Sequence, residues 1–189
     1  MSQRDLHRLY DVFKEQAEAI SARVYRVKDP RSAGELLTRI VQELNATIIG
    51  AARSDLVKAC LDAADKSQLT VFTQNLQQQA KDIHLGLSEV DLAIAETGTL
   101  MQNSTALDQR LVSTLPPVHV ALVHTGRMVE YFVDAIDLLN DKAGDLPGYT
   151  AFISGPSRTA DIERVLTIGV HGPKELYIIF VDHPGGDLN

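Results

Sequence analysis

The run Thr47-Ile48-Ile49-Gly50-Ala51-Ala52, followed at once by the capping residue Ser54, decides how the chain is read. An apolar, β-branched run of this length reads as a strand, and Ser54 is an N-cap for the helical pattern after it. Working outward, the alternation repeats. Leu69-Thr70-Val71-Phe72 is a weaker strand, and Asn75 to Asp82 fits helix or loop. A strand Leu92 to Ala95, a helix from Ser104 to about Ser113 and a strand Val118 to Val123 follow, the last set off by Pro116 and Pro117. Gly126 precedes an apolar helix Arg127 to Leu139, and Asp141 to Gly148 reads as a loop. A strand Thr150 to Ile153, a helix from about Thr159 to Leu166, a glycine-rich turn and a strand Leu176 to Val181 complete the series. Strands alternating with helices predict an α/β fold, with a mostly parallel sheet covered on both faces.

On the other side of Thr47, Leu6, Leu9, Tyr10, Phe13, Ala17 and Ile20 recur at helical spacing. An extended piece Val24 to Val27 comes next. Pro30 and a capping-box pair, Ser32 and Glu35, open a second helix ending near Asn45. The 189 residues suit one domain. It divides into an N-terminal helical part (1–45), an α/β core (46–183) and a mobile tail (184–189).

Hydrophobic residues make up 44% of the chain and charged ones 23%, as in ordinary globular proteins. The formal charge of −7 offers no basic stripe, so nucleic acid is not an expected partner. No apolar run is long enough to span a bilayer, and residues 1–7 lack the apolar stretch of a signal peptide, so a cytoplasmic protein is expected. Cys60 is the single cysteine, which excludes an internal disulfide and a self-contained iron–sulfur cluster. It falls on a helical apolar pattern and reads as a buried, inert thiol.

Ligands in open parallel sheets bind at the carboxyl ends of strands. That rule groups the loops beginning at Glu96, His124 and Ser154, provided their strands are parallel. Glu96 follows an apolar strand and precedes Thr97, Gly98 and Thr99. A carboxylate there suits a general base, a nucleophile or a hydroxyl anchor, and equally a cap for backbone groups in a tight turn. In Ser154-Gly155-Pro156-Ser157-Arg158-Thr159-Ala160-Asp161, the glycine allows close approach to backbone, the hydroxyls of Ser157 and Thr159 are donors, and Arg158 is a fork for an anion. The alternative is a plain helix start, with Thr159 as N-cap and Asp161 in the first turn. In Gly169-Val170-His171-Gly172-Pro173 the imidazole is a candidate acid/base or ligand contact, or a turn residue bonded to backbone. His119 and His124 are an odd number of residues apart on one strand and so face opposite ways. His124 at the strand end is the site candidate, and His119 reads as a bonded core residue. No metal-ligand spacing, no P-loop ending and no dinucleotide-binding glycine fingerprint occurs, so no metal and no cofactor are expected.

Asp91-Leu92-Ala93-Ile94-Ala95-Glu96-Thr97-Gly98-Thr99-Leu100 resembles the signature of the LUD domain family of lactate utilization proteins. Leu115-Pro116-Pro117-Val118-His119-Val120, the segment Ser154 to Glu163, and Gly169 to Pro173 agree with it, in the family's order. The likeness covers about Gly86 to Val181, and the chain is shorter than many members between Val71 and Gly86. The resemblance implies a three-layer α/β/α sandwich similar to the sugar-isomerase and CoA-transferase-like group. It also implies an accessory role in oxidation of L-lactate to pyruvate beside two iron–sulfur oxidoreductase subunits. Joined to the residue reading above, the leading expectation is that the three motif loops bind a small anion or other ligand, or the partner proteins. The alternative within the same fold is a stand-alone acyl-CoA transferase or phosphosugar isomerase using Glu96.

Overall fold

The computed structural model describes residues 3–141, 146–160, 166–168 and 172–182. Asp161, His171 and the tail 184–189, all of which carry expectations stated above, lie outside the described residues. Six parallel strands form the main sheet: β1 (Arg23–Val27), β2 (Ile48–Ala51), β3 (Thr70–Phe72), β4 (Leu85–Glu89), β7 (Val118–His124) and β12 (Glu175–Val181), in the order β1-β12-β7-β4-β2-β3. A second sheet has the order β8-β5-β6-β9, built from β5 (Leu92–Ile94), β6 (Thr99–Asn103), β8 (Met128–Val129) and β9 (Thr150–Ile153). β10 (Arg158–Ala160) and β11 (Leu166–Ile168) pair antiparallel. Among the described residues the helices are α1 (Gln3–Ala19), α2 (Pro30–Glu43), α3 (Asp55–Ala63), α4 (Leu76–Gln79), α5 (Leu107–Thr114) and α6 (Phe132–Asn140), with a 3-10 turn at Ala95–Thr97.

The expected mostly parallel sheet with helices on both sides is present. Central strands are apolar on both faces because both are covered. Val120, Leu122, Tyr177, Ile179 and Val181 face α2 and α3. Ala121, Val123, Ile178 and Phe180 face α1. Phe13 of α1 is fully buried, with its ring edge-on to Phe180 at 5.0 Å, and Tyr10 meets the same ring at 5.3 Å. Arg8 ties α1 to the residue after β8 with a two-pronged ion pair to Glu130 (3.0 and 2.8 Å). Cys60 is buried between α2 and the sheet, and burial pushes its thiol up to about 12, as an inert core residue requires.

Three helix readings change. The N-cap of α2 is Asp29, whose carboxylate accepts from the Ser32 backbone (2.7 Å), with Pro30 as the first helical residue. Ser32 therefore sits inside the helix rather than at its cap. The helix expected from Arg127 starts only at Phe132. Before it, Met128 and Val129 pair with Ala93 and Ile94, and the Ala93 and Glu96 amides donate to the carbonyls of Arg127 and Glu130. The open edge of β5 claims those residues before a helix can use them. The helix expected from Thr159 is not formed at its start: Arg158–Ala160 pairs in register with Leu166–Ile168. The strands β4 and β6 appear where no strand was expected.

Candidate functional site

Two of the three motif loops meet. β5 and β9 are both antiparallel to β6, so they run the same way, and the loops after them leave the same edge. Thr99, at the start of β6, is buried, and its hydroxyl lies 2.7 Å from that of Ser154. Further along, the Ser157 amide donates to the Pro173 carbonyl (2.8 Å), which brings the end of the third motif alongside the second. His124 is elsewhere, at the carboxyl end of β7 in the main sheet.

The glycines of these loops are required by α1. Gly98 has φ 61°, and a Cβ on it would lie 2.7 Å from the Ala17 Cα. Gly155 has φ 73°, and a Cβ there would lie 2.6 Å from the Ile20 carbonyl oxygen. Both turns are left-handed and both press on the end of the first helix, which only a residue without a side chain permits. Glu96 is exposed, and its Oε1 accepts from the Phe132 amide at the first turn of α6. The carboxylate thus sits where the α6 dipole favours it. Thr97 beside it is exposed. Arg158 and Thr159 belong to β10, so neither is the first residue of a helix.

On the carboxyl edge of the main sheet, His124 Nε2 lies 3.8 Å from Glu89 Oε1 at the end of the adjacent strand β4, an ion pair whenever the imidazole is protonated. His119 faces the other way, as its spacing from His124 predicts. Its Nε2 is 2.9 Å from the Ser88 hydroxyl, which also accepts from Gln102 Nε2 (2.9 Å). Gln102 Nε2 donates in turn to Gln109 Oε1 (3.0 Å), and Ser104 donates to Gln102 Oε1 (3.2 Å). Burial drives the His119 imidazole down to about 4, so it is neutral at physiological pH. The unfolded chain takes up that proton at the ordinary value near 6.5. The stability this residue contributes is therefore complete above about 6.5 and is lost as pH falls from there through about 4. Urea midpoints measured between pH 7 and pH 4 are expected to fall less steeply in His119→Gln than in the unsubstituted protein. Parallel curves would refute the assignment.

Beside this network lies a cleft of about 530 Å³, lined by Ser54, Glu89, Asp91, Asn103, Thr105 and Gln109, with Val90 and Ala106 between them. Sequence reasoning found Ser54 only as a cap, which it is: its hydroxyl accepts from the Val57 amide (3.1 Å). Glu89, Asp91 and Gln109 were missed. The available signal was the carboxylate pair that ends the Leu85–Val90 run, legible only once that run is recognised as a strand. Among the described residues, no group of three or more His, Cys, Asp or Glu side chains is placed to hold a metal ion. Nor is any described helix long and apolar enough to cross a membrane.

The LUD domain model matches residues 10–181, nearly the whole of the described structure. The chain belongs to the LUD domain family. Lactate utilization protein C 1 of Bacillus mycoides is 41% identical over 106 residues, covering 54% of this chain and 45% of that protein. Lactate utilization protein C of Geobacillus kaustophilus is 35% identical over 127 residues, covering 63% and 53%. The stretch that matches this LUD-domain chain thus spans about half the length of each relative. Its fold is shared with the crystal structure of a DUF162 family protein from Deinococcus radiodurans, at TM-score 0.66 and 15% identity over 96% of this chain and 99% of that one.

Proposed function

We propose that this LUD-domain chain is an accessory component of lactate utilization, acting with iron–sulfur partner proteins in the oxidation of L-lactate to pyruvate. The observation that carries the reading is the family match, joined to relatives named lactate utilization protein C. The single cysteine is consistent with electrons being handled by other proteins. Within this reading, Glu96, Thr97, Gly98 and Thr99, with Ser154, Gly155, Ser157, Arg158, Thr159, Asp161 and His171, form a pocket for a small anion. The Thr99–Ser154 and Ser157–Pro173 contacts support the convergence of the loops. Glu96 then organises the rim through α6 rather than attacking a substrate.

An in-frame deletion in a bacterium with no redundant lactate oxidation system is expected to abolish growth on L-lactate while sparing growth on pyruvate. Re-supplying Glu96→Gln, which keeps an acceptor for the Phe132 amide, restores growth. Arg158→Ala fails to restore it. Normal growth of the deletion strain on lactate overturns the reading.

A further inference from the structure

We propose that the cleft at the carboxyl ends of β4 and β6 is a binding site for a neutral molecule bearing a vicinal diol, a sugar or a nucleoside, separate from the motif loops. Its position is the one where parallel sheets hold ligands, and its volume of about 530 Å³ suits a monosaccharide or nucleoside.

The donor and acceptor inventory defines the ligand. Asp91 Oδ2 accepts from the Asn103 amide and Glu89 Oε1 lies 3.8 Å from His124 Nε2, which leaves at least one oxygen of each carboxylate to accept. Asn103 Oδ1 accepts from the Thr105 amide and Gln109 Oε1 accepts from Gln102, which leaves both NH2 groups to donate. Ser54 uses its oxygen as a cap, so its hydroxyl proton is available. α5 opens on Ala106 with no side-chain cap, adding backbone donors. Each hydroxyl of a diol both donates and accepts, so alternating carboxylate and amide groups match it. The exposed Ala106 offers apolar contact for the C–H face of a sugar ring.

An anion does not fit this set. Two carboxylates line the cleft and no Lys or Arg does. The nearby Arg110 spends its guanidinium on the carbonyls of Ser104 and Thr105, and Arg53 donates to the Thr73 carbonyl. Gln109 is also held from behind by the buried Gln102–Ser88–His119 chain, so its amide is preset before any ligand arrives.

The test uses the whole chain, isotopically labelled, with D-ribose, adenosine, 2′-deoxyadenosine, L-lactate and inorganic phosphate as probes. The side-chain amide resonances of Asn103 and Gln109 are expected to shift with D-ribose or adenosine. A response to D-ribose assigns a free sugar, and one to adenosine alone assigns a nucleoside. 2′-Deoxyadenosine, lactate and phosphate leave them in place. Asp91→Asn and Glu89→Gln keep the existing contacts but replace a free acceptor by a donor, and each is expected to weaken binding by about tenfold with the fold unchanged by circular dichroism. The proposal is overturned by the absence of a shift with either diol at tens of millimolar. It is also overturned by shifts with lactate or phosphate at the same resonances, by equal binding of both adenosines, or by unchanged affinity in both variants. Failure here leaves the lactate reading standing, since that is judged by growth.

Discussion

Replacing Gly98 with alanine is expected to destabilise the protein by about 3 kcal/mol, a large share of a typical total of roughly 5–15 kcal/mol. Two costs combine. A side chain in the left-handed region costs about 1–2 kcal/mol, and overlap with a packed neighbour about 1–3 kcal/mol. The neighbour here is the backbone of α1 at Gln16–Ala17, which cannot swing aside as a side-chain tip can. Gly148→Ala is the control. Among the described residues, a Cβ there meets only the Thr105 side chain, at 3.5 Å, an ordinary contact. Urea denaturation should show a much lower midpoint for Gly98→Ala and little change for Gly148→Ala. Equal midpoints would mean that α1 does not rest on this turn.

Phe13→Ala is expected to cost about 3–5 kcal/mol. Its ring is fully buried beneath α1, and it meets Phe180 of β12 in the main sheet. The cavity would open between the first helix and β12, where rigid strand backbone limits collapse. Near-ultraviolet circular dichroism should lose intensity alongside the fall in denaturation midpoint. A loss under about 1 kcal/mol would show that the site closes over the gap, or that α1 contributes little to stability. Phe13→Leu, which retains most of the buried volume, should recover much of the loss.

What was legible in the sequence follows from where each residue's constraint originates. β2, β7 and β12 carry runs of apolar, mostly β-branched or aliphatic residues because helices cover both faces, and they were read correctly. β4 has the same burial but was missed, for Gly86 and Ser88 interrupt its apolar character. Both are set by distant contacts. A Cβ on Gly86 would lie 2.7 Å from the carbonyl carbon of Val112 in α5, and the Ser88 hydroxyl belongs to His119. Gln102 hid β6 in the same way: its polar side chain is fully buried because Ser88, Ser104 and Gln109 satisfy it. Local signals misled at Thr159, where a hydroxyl followed by acids reads as a helix start although residues 158–160 find a strand partner at 166–168. For the site, the rule that grouped the Glu96, His124 and Ser154 loops presumed one parallel sheet, whereas β5 and β9 flank the antiparallel β6 in the second sheet and His124 ends β7 in the main one. The engagement of Glu96 with Phe132, 36 positions later, left no trace in local sequence.

The order of strands has a bearing on biosynthesis. β12 follows every other described strand in the chain, yet it lies between β1 and β7. While the ribosome is still working on the preceding segments, β1 has no neighbour and α1 has no Phe180 to rest on. Nascent chains therefore carry two exposed interior edges until that strand emerges, a period in which chaperone protection matters most.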